Sequence, residues 1–221
     1  MENMLSTTQH YKVQILKNLR SCYYTIKYGM KEPLFYEILE LPKLPAHLKE
    51  QVLEASKSED PTRIFNYGRL SVGNREIYNG DDLVGVSSEY YRKKVSDEFE
   101  QWIKDNITPR FVDAGVAVTT PGFKLNGPHV DAGRCYVLIY PLNTGGPDAV
   151  TSFWKPKDGS GPINYKRYYN NYNDLELIEQ VKIPEETWCI IFNRVPHSVE
   201  NIGEGRITVQ VSVNYHPWKF M

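Results

Sequence analysis

The chain has 221 residues, with 26 basic against 27 acidic side chains, a formal net charge of −1, 41% hydrophobic residues and sixteen tyrosines. That balance gives none of the basic excess by which nucleic-acid binding shows itself, and no run of about 18 apolar residues exists to span a membrane. Three scattered cysteines, Cys22, Cys135 and Cys189, form no disulfide framework, and the first thirty residues lack a signal-peptide pattern, so a cytoplasmic protein is expected.

Taken in chain order, Tyr11–Leu16 and Leu34–Leu41 read as strand or mixed segments. Pro45–Ser56 predicts a helix, with proline at its start and Leu48, Val52 and Leu53 on one face. Ser87–Ile107 predicts a longer helix, capped by serine, with Tyr91, Val95, Phe99, Trp102 and Ile103 at helical spacing. After about Phe111 short β-rich runs take over: Gly115–Thr120, Cys135–Leu142, Thr151–Trp154, Leu175–Ile183, Thr187–Phe192, His197–Ile202 and Arg206–Tyr215. Turn residues separate them, as in NTGGPD at 143–148 and IGEG at 202–205. Strands at this spacing without helices between them indicate a sandwich or barrel. With no internal repeat, one domain over 1–221 is expected, with a helical or mixed support over 1–110 and a β core over 111–221.

The last run alternates. Arg206, Thr208, Gln210 and Ser212 share one face, and Ile207, Val209, Val211 and Val213 the other. The polar face meets either solvent or the lined interior of a ligand-holding barrel. Trp154 and Trp188 read as core aromatics, and Cys135 and Cys189 as buried and inert.

Five histidines are present. His10, His47 and His216 have no partner at ligand spacing. In GPHVDAGR (127–134), His129 and Asp131 stand two residues apart and so point to one side of an extended backbone. His197 follows the apolar run WCIIF, in NRVPHSVEN. Two imidazoles and one carboxylate are the ligand inventory of a facial triad for Fe(II), which leaves coordination positions open. Arg206 lies nine residues beyond His197, across the IGEG turn. Facing inward, its guanidinium would pair a carboxylate bidentately, with the Thr208 hydroxyl on the same face. Facing outward, it would pair Glu200 or Glu204. Arg134, beside Asp131, reaches either a substrate anion or a structural salt bridge. The tyrosine-rich stretch Ile163–Asp174 forms a lid, stacks on bases, or packs on its own domain.

HVD, GRCYVLIYPLN and NRVPHSVENIGEGRITVQVSVNY together resemble the iron(II)- and 2-oxoglutarate-dependent dioxygenases, most closely their prolyl-4-hydroxylase-like branch, over roughly Val116–Tyr215. The resemblance implies a double-stranded β-helix (a jelly roll, cupin-like) packed against the N-terminal helices. It implies that His129, Asp131 and His197 bind Fe(II) and carry catalysis. Arg206, helped by Thr208, would bind the distal carboxylate of the cosubstrate 2-oxoglutarate. It also implies oxidative decarboxylation to succinate and CO2, with O2 consumed and an unactivated carbon hydroxylated. The family's cosubstrate-binding tyrosine aligns here with Pro141, so either a shifted register lets Tyr140, or Tyr136, supply the phenol, or the contact is lost. The partner expected is a small-molecule or peptide substrate, with neither membrane nor nucleic acid. Two other readings keep the barrel: a cupin-type metal enzyme that does not use 2-oxoglutarate, and a non-catalytic binding module.

Overall fold

A computed structural model describes residues 35–63, 65, 75–87, 90–119, 122–131, 134–160 and 167–214. The strands are β1 (Tyr36–Leu39), β2 (Arg75–Asn79), β3 (Asp82–Ser87), β4 (Tyr90–Lys93), β5 (Asp113–Thr119), β6 (Asn126–Val130), β7 (Tyr136–Asn143), β8 (Val150–Pro156), β9 (Arg167–Tyr168), β10 (Leu175–Val181), β11 (Trp188–Phe192), β12 (His197–Glu200) and β13 (Arg206–Val213). Two helices, α1 (Ala46–Lys57) and α2 (Asp97–Asn106), precede β5. The predicted strand Tyr11–Leu16 lies outside the described residues.

Six strands form one antiparallel sheet in the order β1-β11-β7-β13-β5-β4, and five form a second in the order β10-β8-β12-β6-β9. From β5 to β8, and again from β10 to β13, each strand belongs to the sheet that its predecessor does not. That alternation winds the chain into a double-stranded β-helix, as expected. The polar face of β13 lines the space between the sheets, where Arg206, Thr208 and Gln210 border a cavity. Its apolar face covers the other side: Val209, Val211 and Val213 are wholly buried with Leu48, Val52, Phe99 and Ile103. Burial of each such side chain stabilises the fold by about 1.5–3 kcal/mol.

The helices match their predictions in part. α1 begins after Pro45 and buries Leu48, Val52 and Ala55, but Leu53, expected on that face, is 37% exposed. α2 is shorter than predicted. Ser96, not Ser87, is its cap, accepting a 3.0 Å bond from the Phe99 amide, with Asp97, Glu98 and Glu100 in the first turn. Residues 90–93, including Tyr91, are strand β4 instead, paired with Val116–Thr119. Two aromatic residues placed against an open sheet edge favour strand over helix there. Thus two strands from before residue 110, β1 and β4, complete the large sheet.

Among the described residues, no helix is long and apolar enough to cross a membrane. Cys135 and Cys189 are buried free thiols, and burial pushes the Cys189 thiol up to about 12.

Candidate metal and anion site

β6 and β12 pair antiparallel, and the pairing sets His129 directly opposite His197. Asp131 follows one residue after β6 ends, on the same side as His129. The two ring centroids are 4.5 Å apart, His129 Nε2 is 3.6 Å from Asp131 Oδ1, and one ligand atom from each of the three residues lies within 4.8 Å of the others. All three side chains are buried. The residues that the sequence singled out thus converge on one point.

Each imidazole is oriented from behind. His129 Nδ1 lies 2.9 Å from the Gly127 carbonyl oxygen, and His197 Nδ1 lies 3.0 Å from that of Val195. A carbonyl can only accept, so Nδ1–H donates in both rings and each Nε2 keeps its lone pair for the shared point. Burial lowers both proton affinities. Burial first, and His197 second, bring His129 down to about 4, against the opposing pull of Asp131, and burial lowers His197 as well. Two neutral imidazoles are what a metal requires.

The carboxylate is held differently. Burial would push the Asp131 carboxyl up, but the Arg134 guanidinium and then the two imidazoles outweigh it, keeping the group well below the usual range. Arg134 donates from Nε (3.0 Å) and Nη2 (2.6 Å) to Oδ2, so Oδ1 remains on the histidine side. The same guanidinium donates through Nη1 to Gln210 Oε1 (3.3 Å) and to Ser212 Oγ (3.0 Å). Ser212 in turn donates to Asp113, which also pairs with Arg92. Charges therefore alternate through the interior, and the polar face of β13 supplies their hydrogen bonds. Of the two roles open to Arg134, the structure shows the salt bridge.

Arg206 faces into the cavity rather than toward Glu200 or Glu204. Its Nε donates to Thr208 Oγ1 at 3.1 Å, and no carboxylate pairs with it among the described residues. Burial alone brings its guanidinium down to about 10. Arg206 is half-buried, and a cation held there with no carboxylate partner among the described residues is suited to an anionic ligand. The cavity, of about 60 Å³, is bordered by the three candidate ligands together with Arg206 and Thr208. That space takes several waters or part of a small molecule.

Tyr140 is placed elsewhere. It pairs with Val209, whose side chain faces the helices, and its fully buried ring packs 4.9 Å from Trp188. Tyr136 has the same parity and lies in that same helix-facing cluster. The inward residues of β7 are Val137 and Ile139. Neither phenol reaches the cavity, so the expected contact with a cosubstrate is withdrawn. The described part of the tyrosine-rich stretch packs on its own domain. Tyr169 is buried with Val130, Trp154 and Leu175, and Tyr172 donates to Glu200 at 2.7 Å. Tyr168 lies against the site, its ring centroid 6.4 Å from that of His129, with Arg75 over it at 4.3 Å. The sequence reading missed Asn193, which borders the cavity four residues before His197.

No protein-family model matches the chain, and no curated protein matches it either. Among solved structures, it is similar to a prolyl hydroxylase from Trichoplax adhaerens, in complex with a peptide fragment of the hypoxia-inducible factor oxygen degradation domain. That similarity has 13% identity over 91% of this chain and 93% of the other, with a TM-score of 0.43. A Pseudomonas putida prolyl-4-hydroxylase matches at 12% identity over 91% and 99%, with a TM-score of 0.41. A Bacillus subtilis oxalate decarboxylase matches at 12% identity over 62% of this chain and 28% of its own length, with a TM-score of 0.32. Likenesses this distant say nothing of what this chain does. Its chemistry has to be read from its own residues.

Proposed function

We propose that the protein is an Fe(II)- and 2-oxoglutarate-dependent oxygenase that hydroxylates a small-molecule or peptide substrate. The observation that carries this reading is the Arg206 guanidinium, set without a carboxylate partner among the described residues, in the cavity that His129, Asp131 and His197 also border. The donor set suits Fe(II): two neutral nitrogen ligands and one carboxylate, on one side of the shared point. Bound there, iron and 2-oxoglutarate would supply O2 activation coupled to decarboxylation, with succinate and CO2 as products.

The protein's own residues do the rest. Gly127 and Val195 fix the two ring orientations. Arg134 holds Asp131 ionised by one oxygen and leaves the other for the ion. Arg206, itself oriented by Thr208, binds the distal carboxylate of the diacid, and Val137, Ile139 and Ile191 give the cavity apolar walls that limit water. A metal enzyme that does not use 2-oxoglutarate would have Arg206 serve an anionic substrate instead, and it would release no succinate.

The test is release of succinate from 2-oxoglutarate by the iron-loaded protein in air. Wild type is expected to turn over slowly even without the primary substrate. Arg206→Ala loses charge-assisted hydrogen bonds of roughly 1.5–3 kcal/mol, so its requirement for 2-oxoglutarate should rise by about ten- to a hundredfold. No succinate from wild type, or equal turnover by the variant, would count against the proposal.

A further inference from the structure

Ser212 is the last residue on the polar face of β13, and it is buried without being among the residues that border the cavity. Its hydroxyl oxygen accepts from Arg134 Nη1 at 3.0 Å and from Arg92 Nη1 at 3.1 Å. A guanidinium can only donate, so the hydroxyl proton has one place to go, Asp113 Oδ1 at 2.8 Å. Its donor and both acceptor positions are thus used. The strand pairing prepares this, because Ser212 stands directly opposite Asp113 on β5. Arg92, from β4, closes the group by pairing with Asp113 and donating to the Gln210 carbonyl at 3.2 Å.

Two guanidiniums that share one oxygen repel each other. Stability alone is a weak reason for such a group, since well-packed apolar residues often serve a core as well as buried ion pairs do. What the group supplies is orientation. Arg134 belongs to no strand, and β13 holds its guanidinium through Gln210 and Ser212. From there it donates twice to Oδ2 of Asp131. Without the Ser212 hydroxyl, Arg134 loses a tie to β13, and the Asp131 carboxylate is freer to turn.

From this arrangement, and resting on the metal site proposed above, we infer that Ser212 and Asp113 are positioning residues for the metal ligand Asp131. Asp113 fixes the direction of the Ser212 hydroxyl, the hydroxyl steadies Arg134, and Arg134 leaves one oxygen of Asp131 for the ion. Neither residue touches the ion or a substrate. The charges fit the same role. Arg92 and Arg134 are matched by Asp113 and Asp131, so this group brings no surplus positive charge to the side of a bound cation.

The experiment titrates full-length protein with Co(II), whose visible absorption reports the ligands around it, and follows thermal unfolding of the metal-free protein in parallel. Ser212→Ala should bind Co(II) about tenfold more weakly than wild type, as loss of an outer-shell partner does, and with an altered spectrum. Ser212→Thr keeps the hydroxyl and should restore both affinity and spectrum. Asp113→Asn keeps an acceptor but removes the charge, and it should weaken binding to a similar extent. Combined with Ser212→Ala, it should lose no more than the worse single variant, because the two residues act along one chain of contacts. A residue that serves only the fold would lower the melting temperature and leave the affinity and spectrum of the folded protein unchanged. That result, additive losses in the double variant, no restoration by Ser212→Thr, or loss of folding in either single variant would each overturn the inference. Absence of Co(II) binding by wild type would instead strike the metal site on which the oxygenase reading stands.

Discussion

Within the triad, each residue is prepared by a neighbour for its charge state. Burial does much of this for the histidines, and its sign carries a prediction. The ordinary imidazole value of about 6.5 applies to the unfolded chain. In the fold His129 is lowered to about 4, and His197 is lowered too. Between those values the unfolded chain binds more protons than the folded one, so acid favours unfolding. The stability that neutral His129 contributes is therefore fully present above about pH 6.5 and is lost as pH falls toward about 4. For His129 alone the drop corresponds to on the order of 3 kcal/mol. Denaturant unfolding of metal-free protein across this range should show a loss that His129→Gln reduces. A flat profile would mean that the imidazoles are not buried neutral.

Among the elements, β6 has the most exacting surroundings, because it carries His129 and leads to Asp131. The β2–β3 hairpin presses on it. Gly127 lies so close to Ile77 that a Cβ there would stand 2.6 Å from Ile77 Cδ1, and its N–H donates to Ser87 Oγ at 2.8 Å. Gly127 also supplies the carbonyl that orients His129. Gly127→Ala should cost about 1–3 kcal/mol through overpacking. It should also weaken metal binding, which titration with Co(II) would reveal. Unchanged stability and affinity would show that the hairpin yields freely.

β13 was legible because its alternation is strict and its polar face is the cavity wall. The spacing from His197 to Arg206 left two orientations open for the arginine, and the sheet pairing turns it to the cavity. β7 was not legible in the same way. CYVLIYPL is apolar on both faces, so its parity cannot be read from the sequence, and it is the sheet pairing that turns Tyr140 toward the helices. The hairpin β2–β3, the edge strand β4 and the two-residue β9 carry little pattern of their own. Tertiary pairing decides them. Asn193 gave no signal either, because an isolated asparagine before a turn ordinarily marks only the turn.

Over the whole molecule, the two halves of the fold have different tasks. The helices and the outer face of the large sheet make the apolar core that holds β13, β7 and β11 in register. The space between the sheets holds what would be costly anywhere in a core: two imidazoles, the Asp131–Arg134 pair, and Arg206, which has no carboxylate partner among the described residues. Placing them in a cavity lets ligands supply the missing charges, so metal and diacid should bind in a linked way. Calorimetric titration of 2-oxoglutarate into oxygen-insensitive Mn(II)-loaded protein, into metal-free protein and into Arg206→Ala tests this most directly. Binding to the loaded wild type is expected, with a loss of at least tenfold in each of the other two. Equal affinity in all three would contradict it.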